Sequence, residues 1–276
     1  MTGGEAKGRL KRVVRGAVAV AGPFARAREP VSRILTYHSV GSRKHEMNVA
    51  PEVFRRQMEW LAQHYAVIPL DAAARGTAGV AITFDDGYRD NLVHAAPVLD
   101  GLGLPATVFM VADRAGAVLS ANDSYPVDGL LSWEELAELR GMGVQIGAHG
   151  MSHRRLRGLS EREQHFEIAE SKRLIEHHLQ CSVHAFAYPY GSALDYSEVT
   201  MALVRGAGYR YAVSNRYGAN GIHANRWSLR RIWIDATDGL ESFQAKVDGR
   251  LDLLRLADSR PGIRFRRLLN RVLGTQ

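Results

Sequence analysis

A chain of 276 residues, 46% hydrophobic and 24% charged, can bury a large core as one large domain or two small ones. Its single cysteine, Cys181, excludes an internal disulfide. The net charge of +7 sits at the ends, +6 over residues 1–33 and +5 over 250–276, which leaves −4 on the body between them. That distribution argues against a nucleic-acid enzyme, whose basic charge would cover its working face, and suits peripheral contact with an anionic membrane surface or an acidic partner.

No segment reaches the roughly 20 apolar residues needed to cross a bilayer. Arg9, Lys11, Arg12 and Arg15 precede Ala17-Val18-Ala19-Val20-Ala21, but Gly22-Pro23 stops that run early, so it barely meets the length of an export signal. Residues 1–32 read as a basic leader, and cytoplasmic, membrane-peripheral and exported locations stay open. From there the pattern alternates. Arg33–Val40 is β-rich, Pro51–Tyr65 is helical with Phe54, Met58 and Leu61 on one face, and Val67–Leu70 reads as a short strand. Val80–Phe84 is a continuous apolar run of the buried parallel-strand type. Asn91 is placed to cap the helix carrying Leu92, Ala95, Ala96 and Leu99.

Ala106–Val111 is the next strand, followed by a long loop from Asp113 to Leu130. Ser132 caps a short helix ending near Gly141, and Val144–Ala148 is a strand that ends at His149. Ser160-Glu161-Arg162-Glu163 is a capping box opening a long helix to about Gln180. Ala185–Tyr190, Tyr209–Ser214 and Trp227–Ile234 read as strands, with a helix over Asp195–Ala207 between the first two. Helices over Leu240–Leu256 and Ile263–Leu273 close the chain; the last carries Phe265, Leu268, Leu269, Val272 and Leu273 on one face and arginines on the others. Such alternation implies an α/β fold with a parallel sheet, open or closed into a barrel, whose chemistry gathers at the carboxyl ends of the strands.

Asp85, Asp86, His149 and Tyr190 all fall at such ends. Two adjacent carboxylates repel, and burying either is costly unless a cation and a proton answer them. Asp86, His149 and His153 form a one-carboxylate, two-imidazole set suited to a divalent metal, zinc first, with a position open to water. His149 and His153 are four apart, so a single turn brings both rings to one point. Asp85 is then free to act as general base. An isolated His-x-x-x-His or Asp-Asp-Gly means little; their joint occurrence after two buried strands points to function.

Thr83-Phe84-Asp85-Asp86-Gly87, His149-Gly150-Met151-Ser152-His153 and Phe186-Ala187-Tyr188-Pro189-Tyr190-Gly191 together resemble the polysaccharide deacetylases of carbohydrate esterase family four, over about residues 33–235. The resemblance implies a distorted (β/α) barrel of about seven parallel strands and the removal of N- or O-acetyl groups from sugars with a divalent metal. Carried over by motif, Asp85 is the base, Asp86, His149 and His153 hold the metal, and the backbone N–H of Tyr190 helps stabilise the oxyanion. The pattern departs from the family in three places. Gly150 stands where Ser or Thr is usual. Ala187 stands where an arginine usually tethers the base, leaving Arg230 or Arg231 to supply that charge, with Arg231 favoured. The Leu-x-x-His motif of the general acid is missing near the C-terminus.

That motif stands instead at Leu35-Thr36-Tyr37-His38 on the first strand, which resembles a circularly permuted branch found among exopolysaccharide and poly-N-acetylglucosamine deacetylases. His38 becomes the candidate acid, and Leu35 a contact for the acetyl methyl. Asp235-Ala236-Thr237-Asp238 is read as a coincidental match to another family motif, and Trp227 and Trp233 as core. The expected organisation is a leader over 1–32, a deacetylase domain over 33–257 and a basic amphipathic helix over 258–276. The expected activity is metal-dependent N-deacetylation of an N-acetylhexosamine-containing saccharide. The alternatives are O-acetyl ester or non-sugar amide hydrolysis on the same scaffold, or a catalytically silent glycan-binding module.

Overall fold

The computed structural model describes residues 30–119, 129–256, 258 and 262. The expected leader, the middle of the loop after Asp113 and the expected helix over Ile263–Leu273 lie outside the described residues. The strands are β1 (Ser32–Tyr37), β2 (Ser39–Val40), β3 (Asn48–Val49), β4 (Gly79–Phe84), β5 (Ala106–Met110), β6 (Gln145–Ala148), β7 (Ala185–Ala187), β8 (Tyr211–Tyr217) and β9 (Leu229–Trp233). All but β2 and β3 close into a parallel barrel in the order β1-β4-β5-β6-β7-β8-β9. Closure comes from β1, which pairs with both β4 and β9.

Period-two alternation divides the apolar residues between two cores. Ile34, Ala81, Phe109, Ala185, Tyr211, Val213 and Leu229 fill the barrel interior. Their neighbours along the strands, such as Leu35, Ile82, Phe84, Val108 and Ile146, face outward into a core shared with the helices. Those helices are α1 (Pro51–His64), α2 (Leu70–Ala74), α3 (Ala96–Gly101), α4 (Trp133–Gly141), α5 (Glu161–His165), α6 (Ser171–Leu179), α7 (Glu198–Gly206) and α8 (Leu240–Val247). Ser132, Ser160 and Ser197 each cap the helix that follows through a reciprocal capping box. Residues Phe166–Glu170, between α5 and α6, form a π-helical turn, so the single long helix read from sequence contains a bulge. No helix among the described residues is long and apolar enough to cross a membrane.

Several elements differ from expectation. Val67 makes only an isolated bridge to Val80, and Pro69 then opens α2, whose Leu70 and Ala73 cover the amino end of the barrel. Asn91 caps no helix; it lies in a π-helical turn (Asn91–Ala95), and its amide donates to the His38 carbonyl at 2.9 Å. β7 stops at Ala187, because Pro189 has no N–H for a ladder and Tyr190 turns into the left-handed region at φ 62°. The helix expected over Leu240–Leu256 breaks after Val247 at Gly249, with φ +78°.

Candidate metal and catalytic centre

β4 and β6 deliver the central residues from their carboxyl ends. Asp86 Oδ1 lies 3.5 Å from His149 Nε2 and 3.4 Å from His153 Nε2. One donor atom from each residue falls within 4.8 Å of the others. Tetrahedral zinc with bonds of about 2.0–2.2 Å needs ligand atoms about 3.3–3.6 Å apart, so this donor set fits a small divalent cation. The His149 Nδ1–H is placed to donate to the Ala187 carbonyl at 2.8 Å, a bond that turns the Nε2 lone pair toward Asp86. Burial, with His149 beside it, lowers the His153 pKa to about 4, so its imidazole is neutral and able to ligate.

The backbone is strained where these groups meet. Among the described residues, the non-glycine residues at positive φ are Asp86, His153, Tyr190 and Gln180, and the first three belong to the site. Gly87 continues the Asp86 turn at φ +72°, and a Cβ there would lie 2.3 Å from the Met110 sulfur. The loop carrying both histidines is held from two sides. Gly150 and Met151 accept from Ala112 and Asp113 at 3.2 and 3.0 Å. The buried carboxylate of Glu167 accepts from the Met151 and Ser152 amides, each at 2.9 Å, and from the Ser152 hydroxyl at 2.5 Å. The hydroxyl missing at Gly150 is thus met by Ser152, two residues on.

Asp85 is fully buried. Arg231 grips it with two bonds, Nη1 to Oδ1 at 2.7 Å and Nη2 to Oδ2 at 2.6 Å. β9 lies beyond β1 from β4, and an inward-facing arginine crosses the interior, over Phe109, to reach it. Ser214, Thr83 and Asn215 accept the remaining guanidinium bonds. Burial pushes the Asp85 carboxyl up, but the charges of Arg231, His149 and His38 and the Arg231 bonds outweigh it, so the pKa ends below the usual range. Arg230, one residue earlier, faces the other way and donates to the Tyr217 carbonyl.

His38 follows β1 directly, with its ring stacked on Trp233, centroids 4.6 Å apart, and its Nδ1 is buried without a partner among the described residues. Burial lowers its pKa, against the pull of Asp86 and Asp85 and with the help of Arg231 and His149. Trp233 is therefore the wall of His38 rather than the core residue expected. Leu35 is fully buried in the outer core and offers no surface to an acetyl methyl. Asp235 and Asp238 order the turn after β9: the Asp235 amide donates to Asp238, which also pairs with the buried Lys246 at 2.5 Å.

Among the described residues the Tyr190 N–H donates to no backbone carbonyl, and its side chain is 45% exposed. Arg155 stacks over that ring at 3.6 Å and pairs with Asp195. Glu167, Asn215, Trp233 and Arg155 were not foreseen from sequence. None sits in a spaced motif; for Arg155 the proximity to His153 was a signal, and for Glu167 there was none.

Residues 73–212, just over half of the chain, match the family model described as polysaccharide deacetylase. YxkH of Bacillus subtilis (strain 168), which carries the polysaccharide deacetylase name, is 29% identical over 224 residues, covering 78% of this chain and 75% of its own. Among solved structures, the Streptococcus pyogenes deacetylase PplD in complex with acetate aligns with a TM-score of 0.67 at 23% identity, over 79% of this chain and 98% of that one. IcaB from Ammonifex degensii aligns with a TM-score of 0.67 at 21% identity, over 81% and 97%. These two structures share the fold.

Proposed function

This chain belongs to the polysaccharide deacetylase family, and on that premise we propose that it removes N-acetyl groups from an N-acetylhexosamine-containing glycan or glycoconjugate. Asp86, His149 and His153 would hold a divalent cation, zinc before others. When bound, such an ion supplies a Lewis acid that polarises the acetyl carbonyl and acidifies the attacking water. The observation that carries the reading is the pairing of that donor set with a second carboxylate. Asp85 lies 3.9 Å from His149 Nε2 and is fixed by Arg231, so it is free of ligand duty and held in one orientation.

In this reading Asp85 accepts the proton of the attacking water, whose oxygen bonds to the acetyl carbon. The Tyr190 N–H, which lies past the end of the β7 ladder, donates to the oxyanion that develops on the former carbonyl. The C–N bond then breaks. His38 gives a proton to the departing nitrogen, leaving acetate and a free amine. Burial holds the resting imidazole neutral, so the proton it delivers arrives during turnover and couples His38 to Asp85. A buried donor at this position favours amide over ester cleavage, because an amine leaves only when protonated whereas an alkoxide leaves more readily.

Acetate release from N-acetylated and O-acetylated glycans of several lengths, with and without chelator, tests the proposal. N-acetyl substrates should react, chelation should abolish turnover and zinc should restore it. Asp85→Asn should keep bound zinc while losing about 10²–10⁴-fold in kcat, and His38→Gln should lose kcat on amides far more than on esters. Full activity in the chelated protein, or in Asp85→Asn, would refute the assignment.

A further inference from the structure

At the opposite end of the barrel, β5 to β8 surround a cavity of about 470 Å³. Thr107, Gln145, Ala185 and Tyr211 line it, each the first or second residue of its strand, so it is the amino-terminal mouth. Arg75, Arg140, Arg210 and Arg226 also line it, and Asp71 is the lone carboxylate among the lining residues. That carboxylate is already bonded to Arg75 at 2.6 Å. Arg140 donates an Nη1–H to the Leu179 carbonyl at 2.7 Å, a partner that carries no full negative charge. Three guanidinium groups therefore line one space, and among the described residues none of them has a carboxylate partner, on a body whose own net charge is negative. His184, on the same wall, has its pKa lowered by burial first and then by Arg210 and Lys172, against the pull of Glu176 and Asp71.

The floor carries an independent sign. Thr107 is 1% exposed and its hydroxyl has no hydrogen-bond partner among the described residues. A buried hydroxyl left unpaired costs about 1–3 kcal/mol, and a ligand acceptor would remove that cost. Arginines set as forks around one acceptor-rich group are the usual way of holding a phosphate. The volume exceeds what a bare ion fills and lies within the about 300–1,000 Å³ range of small-molecule pockets.

We propose that the amino-terminal mouth of the barrel is a second ligand site, which takes a small organic phosphate of sugar-phosphate size. The phosphate lies between Arg210 and Arg226 with Arg140 behind, and the organic part reaches toward Thr107. This site is independent of the acetyl-removing centre and stands whether or not that reading holds.

Calorimetric titration at fixed ionic strength, with inorganic phosphate, glucosamine 6-phosphate and glucosamine as probes, tests it. Inorganic phosphate should bind, and the sugar phosphate at least tenfold more tightly. In the Arg210→Gln/Arg226→Gln double variant both affinities should fall at least tenfold while acetate release is unchanged; these side chains are exposed, so folding is not at stake. Thr107→Val should raise the melting temperature of the free protein and shrink the stabilisation given by the sugar phosphate. Binding no tighter than that of chloride, wild-type affinity in the double variant, or glucosamine binding as well as its phosphate would overturn the proposal. So would loss of phosphate binding in Asp86→Ala, which would assign the anion to the other mouth.

Discussion

The two mouths of the barrel handle charge in opposite ways. At the carboxyl end, every charge at the centre has a neighbour of opposite or complementary kind: Asp85 with Arg231, Asp86 with two imidazoles. Asp85, Arg231 and His149 are buried, Asp86 and His153 half-buried, and the last two are held in left-handed turns. At the amino end, guanidinium groups of one sign are gathered around a hydroxyl with no partner. A paired, strained cluster is fixed in geometry before any substrate arrives, as electrostatic preorganisation for acetyl removal demands. A like-charged cluster gains only by bringing a counter-charge in.

The contrast is broken most severely by removing the cation from the paired end. Arg231→Met would leave Asp85 as a buried carboxylate with no counter-charge. The expected loss is about 3–5 kcal/mol in urea unfolding, and adding Asp85→Leu should recover most of it. A loss below about 1 kcal/mol would mean that Asp85 is held by something other than Arg231. The same kind of substitution at the other mouth, among exposed arginines, should leave stability within about 0.5 kcal/mol.

A smaller effect follows from loosening the histidine loop without touching a ligand. Glu167→Gln keeps the shape but trades three bonds to a buried carboxylate for weaker ones to an amide. The expected cost is about 1–3 kcal/mol in stability and about 10–100-fold in zinc affinity against a competing chelator. Lowered stability with unchanged zinc affinity would make Glu167 a structural tether only.

What the sequence disclosed about these regions divides by distance along the chain. β4 and β5 were legible because a buried parallel strand is a continuous apolar run. The donor set of Asp86, His149 and His153 was legible because its spacing and strand-end position are local properties. Arg231 could be favoured for Asp85 only through the resemblance, since the two lie 146 residues apart and period-two alternation alone decides that Arg231 points in while Arg230 points out. The failures were places where backbone conformation overrode apolar pattern. Pro69 converted the end of an expected strand into the start of α2, and Gly249 interrupted an expected helix by turning to φ +78°, at a place where a Cβ would meet Arg33 Nη2 at 2.3 Å. The basic mouth left no trace at all: its arginines come from four separate loops and helix ends, and only closure of the barrel brings them together.

The smallest predicted effect concerns a carboxylate near the paired end that lacks a cation. Asp90 is 6% exposed and bonds to the Ser39 hydroxyl, which is also 2.9 Å from Asn48 Oδ1. A hydroxyl has one proton and cannot donate to both acceptors. A protonated Asp90 resolves the conflict: it donates to Ser39 Oγ, and Ser39 donates to Asn48. Burial accordingly raises the Asp90 pKa to about 7, against the bonds from Ser39 and the Val40 amide. In the unfolded chain the same carboxyl titrates near about 3.9. Between those values the native state binds a proton that the unfolded state has lost, so this stabilisation is complete below about pH 4 and disappears as pH rises through about 7. Asp90→Asn carries a permanent donor in place of that proton. The melting temperature of Asp90→Asn relative to the wild type should therefore rise between pH 5 and pH 8, by about 2–4 °C for each 1 kcal/mol recovered. A difference that stays flat across that range would show Asp90 ionised throughout and Asn48 without its donor.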